Sequence, residues 1–144
     1  MKIGIIGAGQ IGSALIKHYT NTGHEVKMTN TSGIEKLKSL ESETGAKAVS
    51  LSEVVNDVDV LVISIPFIEI SKLAKALRNS ISDNTIIIDT TNYYPIRDGR
   101  IDDIENGMPE SVWVSNQLSR SVVKVYNSIL AGSLIQAGLP KNSI

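Results

Sequence analysis

The 144-residue chain contains no cysteine, which excludes disulfide bridges, thiolate-held metals and a cysteine nucleophile. Histidine is nearly as scarce. His18 and His24 have neither a second ligand nor an acid at useful spacing, so both read as surface or structural residues and no metal site is expected. An excess of one charge sign is also missing. The formal net charge is −1, which gives no electrostatic footprint for nucleic acid or an anionic membrane. No apolar run approaches the roughly 20 residues of a membrane span, and no membrane partner is expected. The first strand pattern begins at Met1-Lys2, with no room for a signal peptide, so the expected compartment is cytoplasmic. There is no internal repeat, low-complexity tract or linker. With 42% hydrophobic and 20% charged residues, the composition is that of a single globular domain, residues 1–144, large enough for a proper core.

The most informative stretch is the first. Lys2-Ile3-Gly4-Ile5-Ile6 is a β-branched apolar run that reads as a buried strand. It leads into Gly7-Ala8-Gly9-Gln10-Ile11-Gly12, a complete G-x-G-x-x-G. Beyond it, Ile11, Ala14, Leu15 and Tyr19 recur at helical spacing until Gly23. Glycines placed between a strand and a helix are the context in which this motif binds a dinucleotide. Gly7 would allow the tight turn, Gly9 the close approach of a pyrophosphate, and Gly12 the packing of helix on strand. The helix start would turn free N–H groups and its positive dipole end toward the phosphates. The competing reading is an ordinary structural turn.

Glu25 to Thr29 alternates as a second strand. At its end an NAD site usually carries an acid for the ribose 2′-hydroxyl. This chain has Asn30-Thr31-Ser32-Gly33, with no acid to repel a 2′-phosphate, so NADP is favoured over NAD. The arginine that often clamps that phosphate is missing, and Lys36 is the nearest cation. Ile34 to Thr44 reads as a surface helix stopped by Gly45, and Ala46 to Val49 as an edge strand. A short helix follows with Ser52 as its cap, and then a buried strand over Asp59–Ser64. In a doubly wound sheet the next residues, Ile65-Pro66-Phe67, face the glycine loop at the topological switch point, so Pro66 and Phe67 should line the crevice. Pro66 equally suits a helix start.

Glu69 to Asn79 is amphipathic, and Thr85–Asp89 is a fifth strand. It is followed by the polar, aromatic loop Thr90-Thr91-Asn92-Tyr93-Tyr94-Pro95, a natural place for substrate contacts. Asp89, at the strand end, reads first as a residue that bonds loop backbone. Arg97 to Asp103 is a polar excursion without periodicity, and Ser111 to Leu118 a short helix carrying Trp113. Val122–Tyr126 is a sixth strand, and Asn127 to Gly138 a final helix buried through Ile129, Leu130, Leu134 and Ala137. The expected class is therefore α/β: a doubly wound, mainly parallel Rossmann NAD(P)-binding sheet of about six strands. A sheet ending there leaves an exposed edge and an uncovered apolar face, from which a homo-oligomer, a dimer, is expected.

The fingerprint Gly7–Gly12, the Asn30–Gly33 turn, Ile65-Pro66-Phe67 and above all Asp89–Pro95 resemble the deazaflavin (coenzyme F420)-dependent NADP oxidoreductase family. Val123 to Ala131 is similar to that family's Val-Lys-Ala-Phe-Asn-Asn-Ile stretch, and the same domain type occurs in STEAP-like metalloreductases. The resemblance implies NADP(H), hydride transfer at nicotinamide C4, and a deazaflavin or flavin acceptor. It carries phosphate-binding roles to Thr31 and Ser32, and places Ile65, Pro66 and Phe67 by the nicotinamide. The cofactor-binding set expected in this way is Gly7, Gly9, Gln10, Ile11, Gly12, Asn30, Thr31, Ser32, Ile65, Pro66, Phe67 and Asn92. Many members have Ser-Arg where this chain has Thr31-Ser32. Relatives also continue past the point where this chain stops, at Ile144, so it looks truncated or naturally short.

Hydride transfer between two rings needs orientation and exclusion of water rather than a proton donor, and no catalytic residue is assigned. Lys124 and Asn127 have the Lys-x-x-Asn spacing of β-hydroxyacid dehydrogenases, but on a strand pattern rather than a helix. Two other functions fit the same residues. One is a non-catalytic dinucleotide-binding module that relays redox state, and the other is the nucleotide half of a larger dehydrogenase.

Overall fold

A computed structural model describes residues 1–137. Six strands alternate with helices: β1 Lys2–Ile6, β2 Glu25–Thr29, β3 Lys47–Ala48, β4 Val60–Ile63, β5 Ile86–Asp89 and β6 Val122–Lys124. All pair in parallel, in the spatial order β3–β2–β1–β4–β5–β6. The order reverses between β1 and β4, which makes the carboxyl ends of those two strands the switch point of a Rossmann-type sheet. The helices are α1 Gln10–Asn21, α2 Lys38–Thr44, α3 Leu51–Val54, α4 Ile70–Ala76, α5 Pro95–Asp98, α6 Asp102–Glu105, α7 Glu110–Leu118 and α8 Ala131–Ala137. Among the described residues no helix is long and apolar enough to cross a membrane.

The central strands are apolar throughout because both of their faces are covered. In β4, Val60 and Val62 pack with Leu15, Ile16 and Leu134 on one side of the sheet. Leu61 and Ile63 pack with Val54, Ile70, Leu73 and Val114 on the other. Gly4, midway along β1, belongs to the second face. A Cβ there would lie 2.1 Å from the Val54 carbonyl oxygen, so α3 can rest on β1 only because residue 4 has no side chain.

Several elements differ from the sequence reading, and β6 ends at Lys124 rather than Tyr126. The cap of α3 is Ser50 rather than Ser52: Ser50 and Glu53 form a reciprocal capping box, whereas Ser52 has valine three residues on. Ile34–Leu37 is a 3₁₀ turn ahead of α2, with Leu37 its buried residue. The polar excursion after Pro95 contains α5 and α6, each too short to show a period. The last helix starts at Ala131, not Asn127, because Tyr126 adopts φ +66° and the Asn127 carbonyl accepts the Asn92 side-chain amide at 2.7 Å. Leu134 is buried as expected, but Leu130 is 78% exposed; the expected end at Gly138 lies outside the described residues.

His18 is structural: its Nε2 lies 2.6 Å from the Leu134 carbonyl oxygen, tying α1 to α8. At the β6 edge, Ile87 and Val122 face the α4–α7 cluster, so Ile86 and Val123 point the other way and stay about half exposed.

Two substitutions test this packing by thermal melting. Gly4→Ala should cost about 1–3 kcal/mol or more, since a backbone carbonyl blocks the new methyl group. That corresponds to a fall of several degrees for a domain of this size. Ser50→Ala should cost about 1 kcal/mol through the lost cap, and Ser52→Ala much less.

Candidate functional site

The glycine loop is built by main chain packing on main chain. Gly7 sits at φ +103°, and a Cβ there would come within 2.0 Å of the Ser64 carbonyl oxygen. A Cβ on Gly12 would lie 2.0 Å from the Gly7 carbonyl oxygen. These two glycines let β1, β4 and α1 meet. Gly9 differs: a Cβ built on it meets no atom within 4 Å, so its Cα faces open space. It is also the N-cap of α1, has no capping side chain, and is followed by no acid in the first turn. The helix start therefore presents its N–H groups and positive dipole end outward over bare backbone. Ser13 holds the loop in place, its Oγ donating to the Ala8 carbonyl at 2.8 Å and its N–H to that of Gly9 at 2.8 Å.

A cavity opens on each side of this loop. The first, about 400 Å³, lies between α1 and the segment after β2, lined by Ala8, Asn30, Ser32, Lys36 and Ser39 among others. Lys36 has no ion-pair partner among the described residues, while Lys17 at the rim is paired with Glu43 at 2.7 Å. The Asn30 Oδ1 is buried with no hydrogen-bond partner, an unsatisfied acceptor at the end of β2. Thr31 is exposed and does not line this space.

The second cavity, about 310 Å³, spans the carboxyl ends of β1, β4 and β5. Gly9, Gln10 and Ile11 form one wall; Ser64, Ile65 and Pro66 come from the segment after β4, Thr90, Thr91, Asn92 and Tyr94 from the loop after β5, and Arg97 from α5. Of the expected set, Gly9, Gln10, Ile11, Ile65, Pro66 and Asn92 thus meet around one space, and Asn30 and Ser32 around its neighbour. Phe67 is a correction: its side chain is fully buried, stacked on Trp113 at 5.0 Å and tilted against Tyr93 at 5.6 Å. A 3₁₀ turn after Pro66 rotates residue 67 inward, where a large apolar ring gains most from burial.

Two buried carboxylates hold the β5 loop. Asp89, at 0% exposure, accepts the Thr91 N–H at 2.9 Å and the Thr91 hydroxyl at 2.7 Å through Oδ1. Its Oδ2 lies 3.3 Å from Lys124 Nζ, which also donates to the Thr91 carbonyl at 2.6 Å and lies 2.9 Å from Glu110. Asp89 therefore bonds loop backbone, as its position at the strand end implied. Lys124, bonded to two acceptors and paired with Glu110, braces the loop, and Asn127 meets Asn92 through its carbonyl. Neither forms the Lys-x-x-Asn arrangement of a helical dehydrogenase site.

The second carboxylate, Asp98, accepts Arg97 Nε at 2.8 Å and Nη2 at 2.7 Å, together with the Tyr94 N–H at 2.8 Å. Burial alone would push this carboxyl up, but the Arg97 guanidinium and the main-chain donors outweigh it and hold it below its ordinary range. Arg97 and Ser64 escape the sequence reading. Arg97 reaches the cavity only through a four-residue helix, which leaves no periodic signal. Among the described residues, no group of three or more acids and histidines could hold a metal ion.

Comparison with known proteins gives a consistent placement. The family model described as NADP oxidoreductase, coenzyme F420-dependent, matches residues 2–93, more than half of the chain. A hypothetical protein from Sinorhizobium meliloti superposes with a TM-score of 0.80 at 27% identity, covering 94% of this chain and 65% of that one. A candidate F420-dependent NADP reductase from Arthrobacter sp. FB24 gives 0.78 at 19% identity, with 92% and 65% covered. Glycerol-3-phosphate dehydrogenase from Saccharomyces cerevisiae gives 0.69 at 15%, with 94% and 44% covered, a likeness of fold alone. The chain thus spans less than two thirds of the length of these structures. No curated protein matches the sequence significantly. By the match over β1 to the β5 loop, in the fold that the solved structures share, the chain belongs to the coenzyme F420-dependent NADP oxidoreductase family.

Proposed function

We propose that this domain binds NADP(H) across the carboxyl edge of the sheet and orients the nicotinamide for hydride transfer to a deazaflavin or flavin acceptor. The observation that carries this reading is the bare Cα of Gly9 at an uncapped helix N-terminus, with a cavity on either side. A pyrophosphate fits such a place because N–H groups and dipole face it and no side chain fills the approach. Gly9, Gln10, Ile11 and Gly12 would offer that main chain, with Gly7 setting the turn.

On the β2 side, the orphaned Asn30 Oδ1 suits a ribose hydroxyl donor, and Ser32 and Lys36 suit a 2′-phosphate, with the exposed Thr31 outside the cavity lining. On the other side, Ile65, Pro66 and Asn92 would flank the nicotinamide. Phe67 contributes from below, by backing Tyr93. NADPH would supply the hydride from nicotinamide C4. The protein's part is orientation and exclusion of water, since the acids near the crevice are already committed: Asp89 to Thr91 and Lys124, Asp98 to Arg97.

Gly9→Val separates a ligand cradle from a structural turn. Gly9 has an extended conformation, φ −70° and ψ −164°, and open space beyond it, so the unliganded protein should lose only the capping preference, about 1 kcal/mol. The wild-type protein should gain about 2.7 kcal/mol of apparent stability from NADPH at a hundred times its Kd. Most of that gain should vanish in Gly9→Val, and an undiminished shift would sink the reading. Gly12→Val, whose Cβ would strike the Gly7 carbonyl, should instead melt markedly lower without ligand. Parallel titrations with NADPH and NADH test the phosphate contact. Lys36→Ala should weaken NADPH about tenfold, in line with loss of one hydrogen bond to a charged group, and leave NADH nearly unchanged.

A further inference from the structure

The sequence offered the segment after Pro95 as a polar excursion, and the fold turns it into the outer wall of the second cavity. Arg97 is fixed there on three sides. Its Nε and Nη2 bond the Asp98 carboxylate, Nη2 also donates to the Asn92 carbonyl at 2.7 Å, and the guanidinium stands 5.0 Å over the Tyr94 ring. Asp98 has no exposed side-chain surface, whereas Arg97 keeps 46% of its own. Nη1 has no hydrogen-bond partner among the described residues. The buried carboxylate also shares its charge with the N–H groups of Tyr94 and Ile68, on the side away from solvent. Arg97, held rigidly and with unused donors on Nη1, thus lines a space whose lining contains no acid.

Building on the hydride-transfer reading above, we propose that Arg97 is the acceptor-specificity residue of this crevice, selecting a planar acceptor that is anionic, or becomes so, along the edge laid against the guanidinium. The charge balance explains the preference. Two electrons and one proton leave nicotinamide C4 together, and the nicotinamide becomes a pyridinium cation. They arrive at C5 of a deazaflavin, or N5 of a flavin, and a negative charge spreads over the N1–C2 oxygen edge until solvent supplies a proton. A fixed guanidinium stabilises that charge as it develops, without reorganising. An acceptor that starts as a pyridinium cation becomes neutral on reduction and gains nothing from Arg97. Asp98 acts through Arg97 and is a positioning residue.

The test compares wild-type protein with Arg97→Gln and Arg97→Lys, each checked by thermal melting. The probes are 8-hydroxy-5-deazariboflavin, riboflavin and the pyridinium acceptor 3-acetylpyridine adenine dinucleotide phosphate. NADPH affinity is measured first, by fluorescence titration, so that any loosening of the loop braced by Asp98 is read separately, and the acceptors are then compared at saturating NADPH. The visible spectrum of the 8-hydroxy-deazaflavin, bound beside NADP⁺, is then titrated with pH. Arg97→Gln should raise the apparent pKa of its hydroxyl by about one unit, a tenfold loss of preference for the anion. Deazaflavin and riboflavin reduction should slow at least about tenfold more than reduction of the pyridinium acceptor, and Arg97→Lys should recover most of that difference. Equal effects on both acceptor classes, or an unshifted hydroxyl pKa, would overturn the proposal and leave Arg97 a loop brace. Wild-type protein that binds NADPH but neither binds nor reduces a flavin or deazaflavin overturns it too, while the dinucleotide reading stands. Failure of wild type to bind NADPH removes both.

Discussion

The structure depends on one close approach: main chain of the first turn of α1 against main chain at the ends of β1 and β4. The Gly7 carbonyl occupies the place a side chain on residue 12 would need, and the Ser64 carbonyl occupies the place of one on residue 7. Because these contacts are backbone to backbone, they allow almost no adjustment. The start of α1 is therefore held rigidly above the switch point, where N–H groups freed by the helix geometry can serve a ligand instead of a cap. Gly4 repeats the device one layer down, bringing α3 onto β1.

The opposite wall solves a different problem. The chain after β5 is polar and lines the crevice, yet it has to hold a defined shape there. Two buried carboxylates do this work, Asp89 at the end of β5 and Asp98 at the far end of the loop, and each is met by a cation and by main-chain N–H. A buried carboxylate whose partner is removed costs several kcal/mol, so each pair enforces the loop conformation whatever its net contribution to stability. The aromatic layer below, Phe67 between Trp113 and Tyr93, supports the loop from the core side. The Tyr93 hydroxyl extends that support outward by accepting the Ile101 N–H and donating to the Gly99 carbonyl.

A long dinucleotide laid over such an edge would touch three kinds of surface: a small polar recess at β2, bare main chain at α1, and a mixed apolar and cationic wall at β4 and β5. Each has its own physical origin, which is why no single motif describes the whole crevice. The glycine wall rests on the absence of side chains, whereas the wall after β4 and β5 rests on side chains fixed by buried charge. Chemistry by orientation suits this division, because it asks for rigid walls rather than a titrating group.

The amino-acid sequence by itself determined the alternation of strands and helices, the doubly wound class and the glycine turn. Those signals are local: β-branched runs buried on both faces, a helical period, and glycines where backbone must pass close to backbone. The same local logic placed Asp89 as a loop-bonding residue and the segment at Asn30–Ser32 near the crevice. Tertiary structure alone decided which side chains of neighbouring residues face the cavity. Phe67 turned into the core although Pro66 beside it stayed at the rim, because one turn of 3₁₀ helix sets the direction and burial of the ring rewards it. Arg97 reached the crevice through a helix of four residues locked by a carboxylate with no exposed surface, and a contact of that kind has no period to read. Asn127 was kept out of the last helix by a hydrogen bond from Asn92, 35 residues away in the chain, a partnership that exists only once β5 and β6 lie side by side.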